Sequence, residues 1–282
     1  MEQIRQAVER AKASGMPTAG PQVRPGAGQS PAHHQSDFSA SRPQPAASQI
    51  KINEAELNRA HLESRRIIAH NSADPRSSSF DMLRTQVLQS MDQRNWQFLA
   101  VTSPTPGCGK TVTAVNLALS IARQPERSLL LIDLDLSRPK VARTLGMKCQ
   151  HGLLSVLDGR ASLADTMIQA RVDNHRFMVL PTEASILGSS ELIASRAMSS
   201  LLQAIKRDFR NWTVILDMPP MLASDDVIAM LPQIDCVLLV AAVGNSTVSE
   251  IKECNRHLQA REVVRLVLNK SSDSTTRYMV ND

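Results

Sequence analysis

The sequence predicts an α/β domain in which a mostly parallel sheet is flanked by helices on both faces. Two observations predict this fold class. Apolar runs recur from residue 95 onward, and stretches with helical spacing separate them. Because these runs are continuous rather than alternating, they are typical of strands that are buried on both faces. Ligands of such sheets bind beyond the carboxyl ends of the strands, so the polar residues that follow each strand are the candidate site.

The first 75 residues differ in composition from the rest of the chain. Residues 14–48 are rich in Pro, Gly, Ser, Gln and His, and a segment with so few apolar residues cannot offset the entropy cost of ordering. Residues 1–75 are therefore predicted to be a largely disordered N-terminal extension. Short helices are predicted within it, near residues 1–13 and 50–70, where apolar residues recur.

A helix is predicted to lead into the main domain over residues 76–94, because apolar residues recur there at every fourth position, at Leu83, Val87 and Met91. The main domain is expected to span residues 95–270. Residues 271–282 are polar and lack a helical period, so they are predicted to form a flexible C-terminal tail.

A strand followed by a glycine-bearing loop opens the main domain. Residues 98–101 are a short apolar run, and the residues after Thr105 combine two glycines with a Lys-Thr pair. Strand, loop and the following helix make the phosphate-binding unit of P-loop nucleoside triphosphatases. The predicted nucleotide-binding residues are Pro106, Gly107, Cys108, Gly109, Lys110, Thr111 and Val112.

Each residue type in this loop has a physical role in holding phosphate. Glycine lets the backbone wrap closely, so that N–H groups point at phosphate oxygens where a helix begins. Lys110 is predicted to reach the β- and γ-phosphates of ATP, and the Thr111 hydroxyl to ligate Mg²⁺. One position departs from the general pattern, since Pro104 stands where the first glycine is expected.

Carboxylates follow two of the later strands. Asp133 and Asp135 lie two residues apart, on the same side of their strand end, and Asp217 directly follows another apolar run. A carboxylate at the end of an apolar strand is costly unless it meets a cation, and Mg²⁺ bound to phosphate is the candidate. The buried strands predicted after the first one are residues 128–134, 177–180, 212–216, 236–243 and 263–268.

Three motifs, in this order, resemble those of the bacterial tyrosine kinases, the P-loop autokinases of capsule and exopolysaccharide synthesis. They are TSPTPGCGKT for the Walker A loop, LLLIDLDLSRP for the acidic Walker A′ motif and VILDMPP for Walker B. The resemblance covers about residues 95–270 and includes the segments GLLSVLDGR and SELIAS. It implies a protein-tyrosine autokinase that uses ATP and Mg²⁺.

The resemblance also implies roles for single residues. Thr111, Asp133 and Asp217 would hold the metal, and Asp135 would help to activate the attacking hydroxyl. Asn269, just after the last strand, would contact adenine. The implied catalytic residues are Lys110, Asp133, Asp135 and Asp217. The implied partner is a membrane-anchored regulator of polysaccharide chain length, and self-association is a further expectation.

Three features depart from the family pattern. Ser137 stands where many of these kinases have arginine, although a branch found with exopolysaccharide loci places it one residue later, at Arg138. Their N-terminal oligomerisation motif, E-x-x-R-x-x-R, survives poorly, since Ser78, Asp81 and Arg84 occupy its three defined positions. Their C-terminal tails cluster tyrosines, whereas this chain has a single tyrosine, at position 278.

Two other functions fit the same P-loop. Plasmid-partition and division-site switch ATPases share this fold, but their loop carries a signature lysine, and Thr105 stands at that position. Without that lysine, the charge that develops in the transition state lacks a cation from a second subunit. A regulator of polysaccharide export that binds nucleotide without kinase activity also fits. The motifs favour the autokinase over the regulator, and the regulator over the switch ATPase.

Composition limits the partners and the compartment. The net charge is +5, but the charges are scattered and no basic run carries interleaved aromatic residues, so no nucleic-acid partner is expected. The four cysteines lack metal-like spacing, and neither a signal peptide nor an apolar run of about 20 residues is found. We therefore expect a cytoplasmic protein that reaches the periphery of the inner membrane through a partner.

Overall fold

An eight-stranded sheet forms the centre of the protein in a computed structural model that describes residues 53–258 and 262–271. The strand order is β1-β4-β5-β3-β6-β2-β7-β8, and every pairing is parallel except that of β4 with β5. The strands are β1 (Asn53–Glu56), β2 (Phe98–Thr102), β3 (Ser128–Asp133), β4 (Ile168–Val172), β5 (His175–Leu180), β6 (Trp212–Asp217), β7 (Cys236–Ala242) and β8 (Glu262–Asn269).

Ten α-helices lie among the described residues, together with two short 3₁₀ segments at Pro75–Ser77 and Leu231–Gln233. The helices are α1 (Arg59–Ser64), α2 (Ser78–Arg94), α3 (Lys110–Ala122), α4 (Val141–Leu145), α5 (Leu153–Leu157), α6 (Leu163–Thr166), α7 (Ser189–Ile193), α8 (Arg196–Asp208), α9 (Asp226–Met230) and α10 (Val248–His257). None of the helices in the described ranges is long and apolar enough to cross a membrane.

The central strands are buried on both faces, as the continuous apolar runs predicted. Every residue of β2, β6 and β7 is buried, although successive side chains point to opposite faces of the sheet. Helix α3 is also buried almost all round, in keeping with its apolar and small residues. The predicted α/β fold with a mostly parallel sheet is therefore confirmed.

Two strands were not predicted, and both lie on one side of the sheet. β4 pairs antiparallel with β5, and β1 pairs with β4 at the sheet edge. β1 has the sequence NEAE and is largely exposed, so its position depends on backbone pairing rather than on apolar burial. A strand of this kind leaves no periodic apolar signal in the sequence.

The boundary of the N-terminal extension needs correction. It was predicted to reach residue 75, but residues 53–75 belong to the folded domain, with Leu57, Leu62 and Ile67 buried in the core. Within the predicted lead-in segment 76–94 lies α2, which begins after a short 3₁₀ turn. The earlier part of the extension, residues 1–52, and the tail beyond residue 271 lie outside the described residues.

One buried asparagine fastens this N-terminal segment to α3. The Asn116 Oδ1 atom accepts hydrogen bonds from the backbone N–H groups of Ile68 and Ala69, at 2.8 and 3.0 Å. Its Nδ2 atom donates to the carbonyl oxygens of Arg66 and Val112, at 3.0 and 2.8 Å. All hydrogen-bonding groups of the side chain are thus used inside the protein, which is the normal condition for a buried amide.

We expect Asn116→Ala to lower the free energy of unfolding by about 3 kcal/mol, because it leaves buried backbone groups without partners. Urea denaturation followed by circular dichroism measures this change. The matched control is Asn211→Ala at an exposed turn, which should stay within about 0.5 kcal/mol of the parent. Equal stability of the two variants would contradict the role given to Asn116.

Candidate functional site

The phosphate-binding loop lies between β2 and α3, as predicted. Gly107 and Gly109 have φ angles of 86° and 94°, in the region that residues with a Cβ atom rarely adopt. Lys110 and Thr111 are the first two residues of α3, so their side chains lie at the N-terminal end of the helix. This end carries the partial positive charge of the helix and its free N–H groups, which together favour an anion.

Strand order explains why the predicted acids meet this loop. β6 lies between β3 and β2, and Asp217 pairs in register with Asp133 on one side and with Val101 on the other. The carboxyl ends of parallel strands meet at one edge of a sheet, so both carboxylates come to the start of α3. The chain places them 84 residues apart in sequence, and only the strand order brings them together.

Lys110 is held among these carboxylates. Its Nζ atom lies 2.7 Å from Asp135 Oδ2 and 3.8 Å from Asp217 Oδ1. The side chain of Lys110 is only 10% exposed, and Asp217 is completely buried. The ammonium group therefore joins the P-loop to both acidic motifs.

Thr111 and Asp217 form a second contact in the site. The Thr111 hydroxyl donates to Asp217 Oδ2 at 2.7 Å. The other carboxylate oxygen, Oδ1, is buried and has no hydrogen-bond partner among the described residues. Lys110 Nζ, at 3.8 Å, is too far to donate a hydrogen bond to this oxygen, so a cation bound directly to it would lower the cost of its burial.

Asp133 contacts backbone rather than side chains. Its Oδ2 atom accepts hydrogen bonds from the N–H groups of Lys140 and Val141, both at 2.9 Å, and Oδ1 accepts from the N–H of Asp135 at 3.2 Å. Thr182, which the sequence did not single out, donates its hydroxyl to the Asp133 carbonyl at 2.7 Å. Asp133 thus shapes the loop that carries Asp135.

Burial and mutual repulsion shift the ionisation of this cluster. Burial, followed by the charge of Asp217, raises the pKa of Asp133 to about 8, against the backbone donors that favour its ionised form. Burial also raises the pKa of Asp217, although Lys110 opposes the shift. Burial disfavours the charge of Lys110, but Asp217 and Asp135 outweigh it and raise the pKa of the ammonium. If all three carboxyl groups ionised beside one ammonium, the cluster would carry excess negative charge, which a second cation would offset.

The remaining predicted residues lie along the same loop. Cys108 is completely buried, and its Sγ atom contacts Asn245 Nδ2 and Ser246 Oγ, each at 3.2 Å. Burial favours the neutral thiol, but hydrogen bonds from Ser246, Thr105 and Asn245 lower the pKa of Cys108 below its usual value. Pro106 is exposed at the loop tip and Val112 is half-buried in α3. The sequence analysis did not single out Asn245 and Ser246, in the loop that follows β7, because no local pattern marks them.

Comparison with known proteins gives the family. A profile of the AAA domain matches residues 97–261. The tyrosine-protein kinase YwqD of Bacillus subtilis is 31% identical over 192 residues, which are 67% of this chain and 78% of YwqD. The chain belongs to the bacterial tyrosine kinase family. The resemblance that the three motifs predicted is thereby confirmed, and with it a P-loop NTPase fold.

A solved structure and a longer relative extend the comparison. The kinase domain of VpsO superposes with a TM-score of 0.62 at 26% identity, covering 76% of this chain and 100% of that domain. The tyrosine-protein kinase ptk of Acinetobacter johnsonii is 28% identical over 210 residues, which are 74% of this chain and 28% of ptk. The chain thus spans little more than a quarter of the longer curated relatives that it matches.

Proposed function

We propose that the chain is an ATP-dependent protein-tyrosine autokinase that regulates exopolysaccharide or capsular polysaccharide synthesis or export. The observation that supports it best is the contact of Lys110 with both Asp135 and Asp217 beside the phosphate-binding loop. The kinases among its relatives support the reaction class. The polysaccharide role rests on the motif resemblance, which also points to a membrane-anchored chain-length regulator as partner.

ATP would bind with its phosphates at the N-terminal end of α3. The glycine-bearing loop offers backbone N–H groups there, and Lys110 offers an ammonium group. Phosphate oxygens would compete with Asp135 for Lys110, since both are anions within reach of the same Nζ atom. Nucleotide binding would therefore free Asp135 from its ion pair.

Mg²⁺ fits the residues around Asp217. The buried Oδ1 atom of Asp217 accepts no hydrogen bond within the described part of the chain, and the Thr111 hydroxyl donates to Oδ2 of the same carboxylate. Oxygen ligands suit this ion, which usually takes one or two carboxylates and completes its shell with phosphate and water. Bound there, Mg²⁺ would offset the charge that develops on the transferred phosphate. Asp133 would keep the neighbouring loop in place through its backbone contacts and, once ionised, add negative charge beside the metal.

Asp135, once free of Lys110, would act on the attacking hydroxyl. It lies at the carboxyl end of β3 and is 4% exposed, and the N–H of Arg138 donates to its Oδ1 atom at 3.1 Å. A carboxylate fixed in this way can accept the proton of a tyrosine hydroxyl as the oxygen attacks phosphorus. Tyr278 is the only tyrosine of the chain, so autophosphorylation on tyrosine has one acceptor.

A nucleotide-binding regulator without kinase activity is the alternative, and one observation favours it. The chain has a single tyrosine, whereas the resemblance leads one to expect a cluster. A switch ATPase is less favoured, because Thr105 has no charge and its hydroxyl accepts a hydrogen bond from Asn245 within the same chain. The autokinase, the regulator and the switch ATPase differ in whether the γ-phosphate of ATP goes to tyrosine, stays on the nucleotide or goes to water.

Labelled ATP separates the three functions. The purified chain is incubated with γ-labelled ATP and Mg²⁺, with and without the cytoplasmic segment of its membrane partner. Phosphotyrosine and free phosphate are then measured separately. The autokinase predicts label on protein tyrosine, and the switch ATPase predicts free phosphate without it. ATP binding without either product would favour the regulator.

The contact of Thr111 with Asp217 leads to a prediction for the metal. We expect Asp217→Asn to retain nucleotide binding in the absence of Mg²⁺, because the loop and Lys110 remain. The affinity for Mg²⁺ in the presence of nucleotide should fall at least about tenfold and turnover should stop, since a neutral amide replaces the buried anion. Titration of a fluorescent nucleotide with and without Mg²⁺ measures both effects. Unchanged Mg²⁺ dependence would remove Asp217 from the metal site.

A further inference from the structure

Asn245, in the loop that follows β7, contacts the phosphate-binding loop at three places. The Asn245 amide nitrogen lies 3.3 Å from Thr105 Oγ1, 3.1 Å from the Pro106 carbonyl oxygen and 3.2 Å from Cys108 Sγ. These three acceptors belong to consecutive parts of the P-loop. One side chain from a distant part of the sequence thus holds the loop between its strand and its helix.

A second amide holds the same loop from β8. Asn269 Nδ2 donates to the Cys108 carbonyl oxygen at 2.9 Å. This amide lies so close to the backbone that a Cβ atom added at Gly109 would be 2.2 Å from it. The contact therefore requires glycine at position 109 on steric grounds, in addition to its φ angle of 94°.

The two amides bind alternate carbonyl groups, those of Pro106 and Cys108. In a trans peptide the C=O of one residue and the N–H of the next point in opposite directions. Because the Pro106 and Cys108 carbonyls point toward Asn245 and Asn269, the N–H groups of Gly107 and Gly109 that follow them point away from these two amides. Within the described residues these two N–H groups have no hydrogen-bond acceptor. They are thus free for phosphate oxygens, which successive N–H groups of such loops bind.

The backbone of the β7–α10 loop is held without the Asn245 side chain. The N–H groups of Asn245 and Ser246 donate to the Ala242 carbonyl at 3.1 and 2.9 Å. Thr247 and Glu250 then form a reciprocal capping box at the start of α10. Asn245 itself is exposed, so its amide can be removed without opening the core. The effect of a substitution should fall on the P-loop that the amide contacts.

We infer that Asn245 is a positioning residue that sets the affinity of the loop for the β-phosphate of a nucleoside di- or triphosphate. This inference rests on the proposed nucleotide binding and names the part of the nucleotide on which the residue acts. Asn245 acts through the Pro106 carbonyl and does not touch the nucleotide. Asn269 makes an equivalent contact, but the motif resemblance assigns it to adenine, so Asn245 is the residue to test.

The test compares ADP with AMP, because only ADP carries a β-phosphate. Binding of both is measured by calorimetry for the parent, Asn245→Ala, Asn245→Asp and the exposed control Asn211→Ala. Loss of the amide donors should weaken ADP binding about tenfold, the value of roughly one hydrogen bond. Asn245→Asp keeps the shape but places an anion against the Pro106 carbonyl, so its loss should be larger. AMP binding and the melting temperature without nucleotide should stay near the parent values.

The outcomes separate this inference from the proposed function. The positioning role is supported if ADP binding weakens in Asn245→Ala and weakens further in Asn245→Asp, while AMP binding is unchanged. Parental ADP affinity in both Asn245 variants overturns the inference and leaves nucleotide binding standing. Equal loss of ADP and AMP binding, together with a lower melting temperature, also overturns it, because the role is then structural. If the parent itself fails to bind ADP, the proposed function is wrong and the inference falls with it.

Discussion

Lys110→Ala should lower the rate of phosphoryl transfer by at least about a thousandfold and remove most of the affinity for ATP, because alanine puts no charge in place of the ammonium opposite the phosphates. Lys110 is also the cation that Asp135 and Asp217 share in the free protein. Filter binding of labelled ATP and an assay of transferred phosphate measure the two losses. Lys252→Ala, at an exposed position of α10, is the matched control and should behave as the parent.

The same substitution also removes charge compensation from the buried acids, so folding must be measured beside binding. Breaking a buried ion pair from one side costs about 3–5 kcal/mol. The double variant Lys110→Ala with Asp135→Asn removes one of the stranded carboxylates and should recover part of that stability without recovering ATP affinity. Parental ATP binding by either folded variant would show that Lys110 does not hold phosphate.

Asp135→Asn is expected to separate binding from chemistry. The amide cannot accept the tyrosine proton, so kcat should fall by about 10²–10⁴-fold, the usual contribution of a positioned base. ATP affinity should be retained or increased, because Lys110 no longer has Asp135 as a competing anion 2.7 Å away. Single-turnover transfer and equilibrium binding of labelled ATP measure the two quantities on the same preparation.

The control for this variant is another aspartate with the same substitution. Asp158 is 56% exposed and pairs with a neighbouring surface arginine, so Asp158→Asn should leave kcat and ATP affinity unchanged. If Asp135→Asn loses ATP affinity and keeps its single-turnover rate, Asp135 serves binding rather than proton transfer. The assignment of the base would then be wrong.

The sequence predicted the parts of the molecule whose signals are local. The glycines, Lys110 and Thr111 form one uninterrupted motif. Asp133 and Asp217 each end an apolar strand, so these candidate residues could be named without the fold. The structure joined them through the order of β3, β6 and β2, which no local pattern contains. The α/β class was predictable for the same reason, since buried strands of a parallel sheet are continuously apolar.

Features that depend on long-range contacts were not predicted. β1 is exposed and polar, and it is a strand only because β4 offers it backbone partners. Asn116 and Asn245 read as ordinary polar residues, yet each binds backbone groups far away in the chain. Asp133 was assigned to the metal by resemblance, and its contacts with the backbone of Lys140 and Val141 became visible only in the fold. The metal assignment itself stays a prediction.

If the chain transfers phosphate to its own tyrosine, Tyr278 is the one tyrosine of this sequence that can accept it. The parent, Tyr278→Phe and Asp135→Asn are each incubated with ATP, Mg²⁺ and the cytoplasmic segment of the membrane partner. Phosphopeptides are then identified by mass spectrometry. We expect phosphotyrosine at position 278 in the parent and none in either variant. A parent that binds ATP but stays free of phosphotyrosine would contradict it.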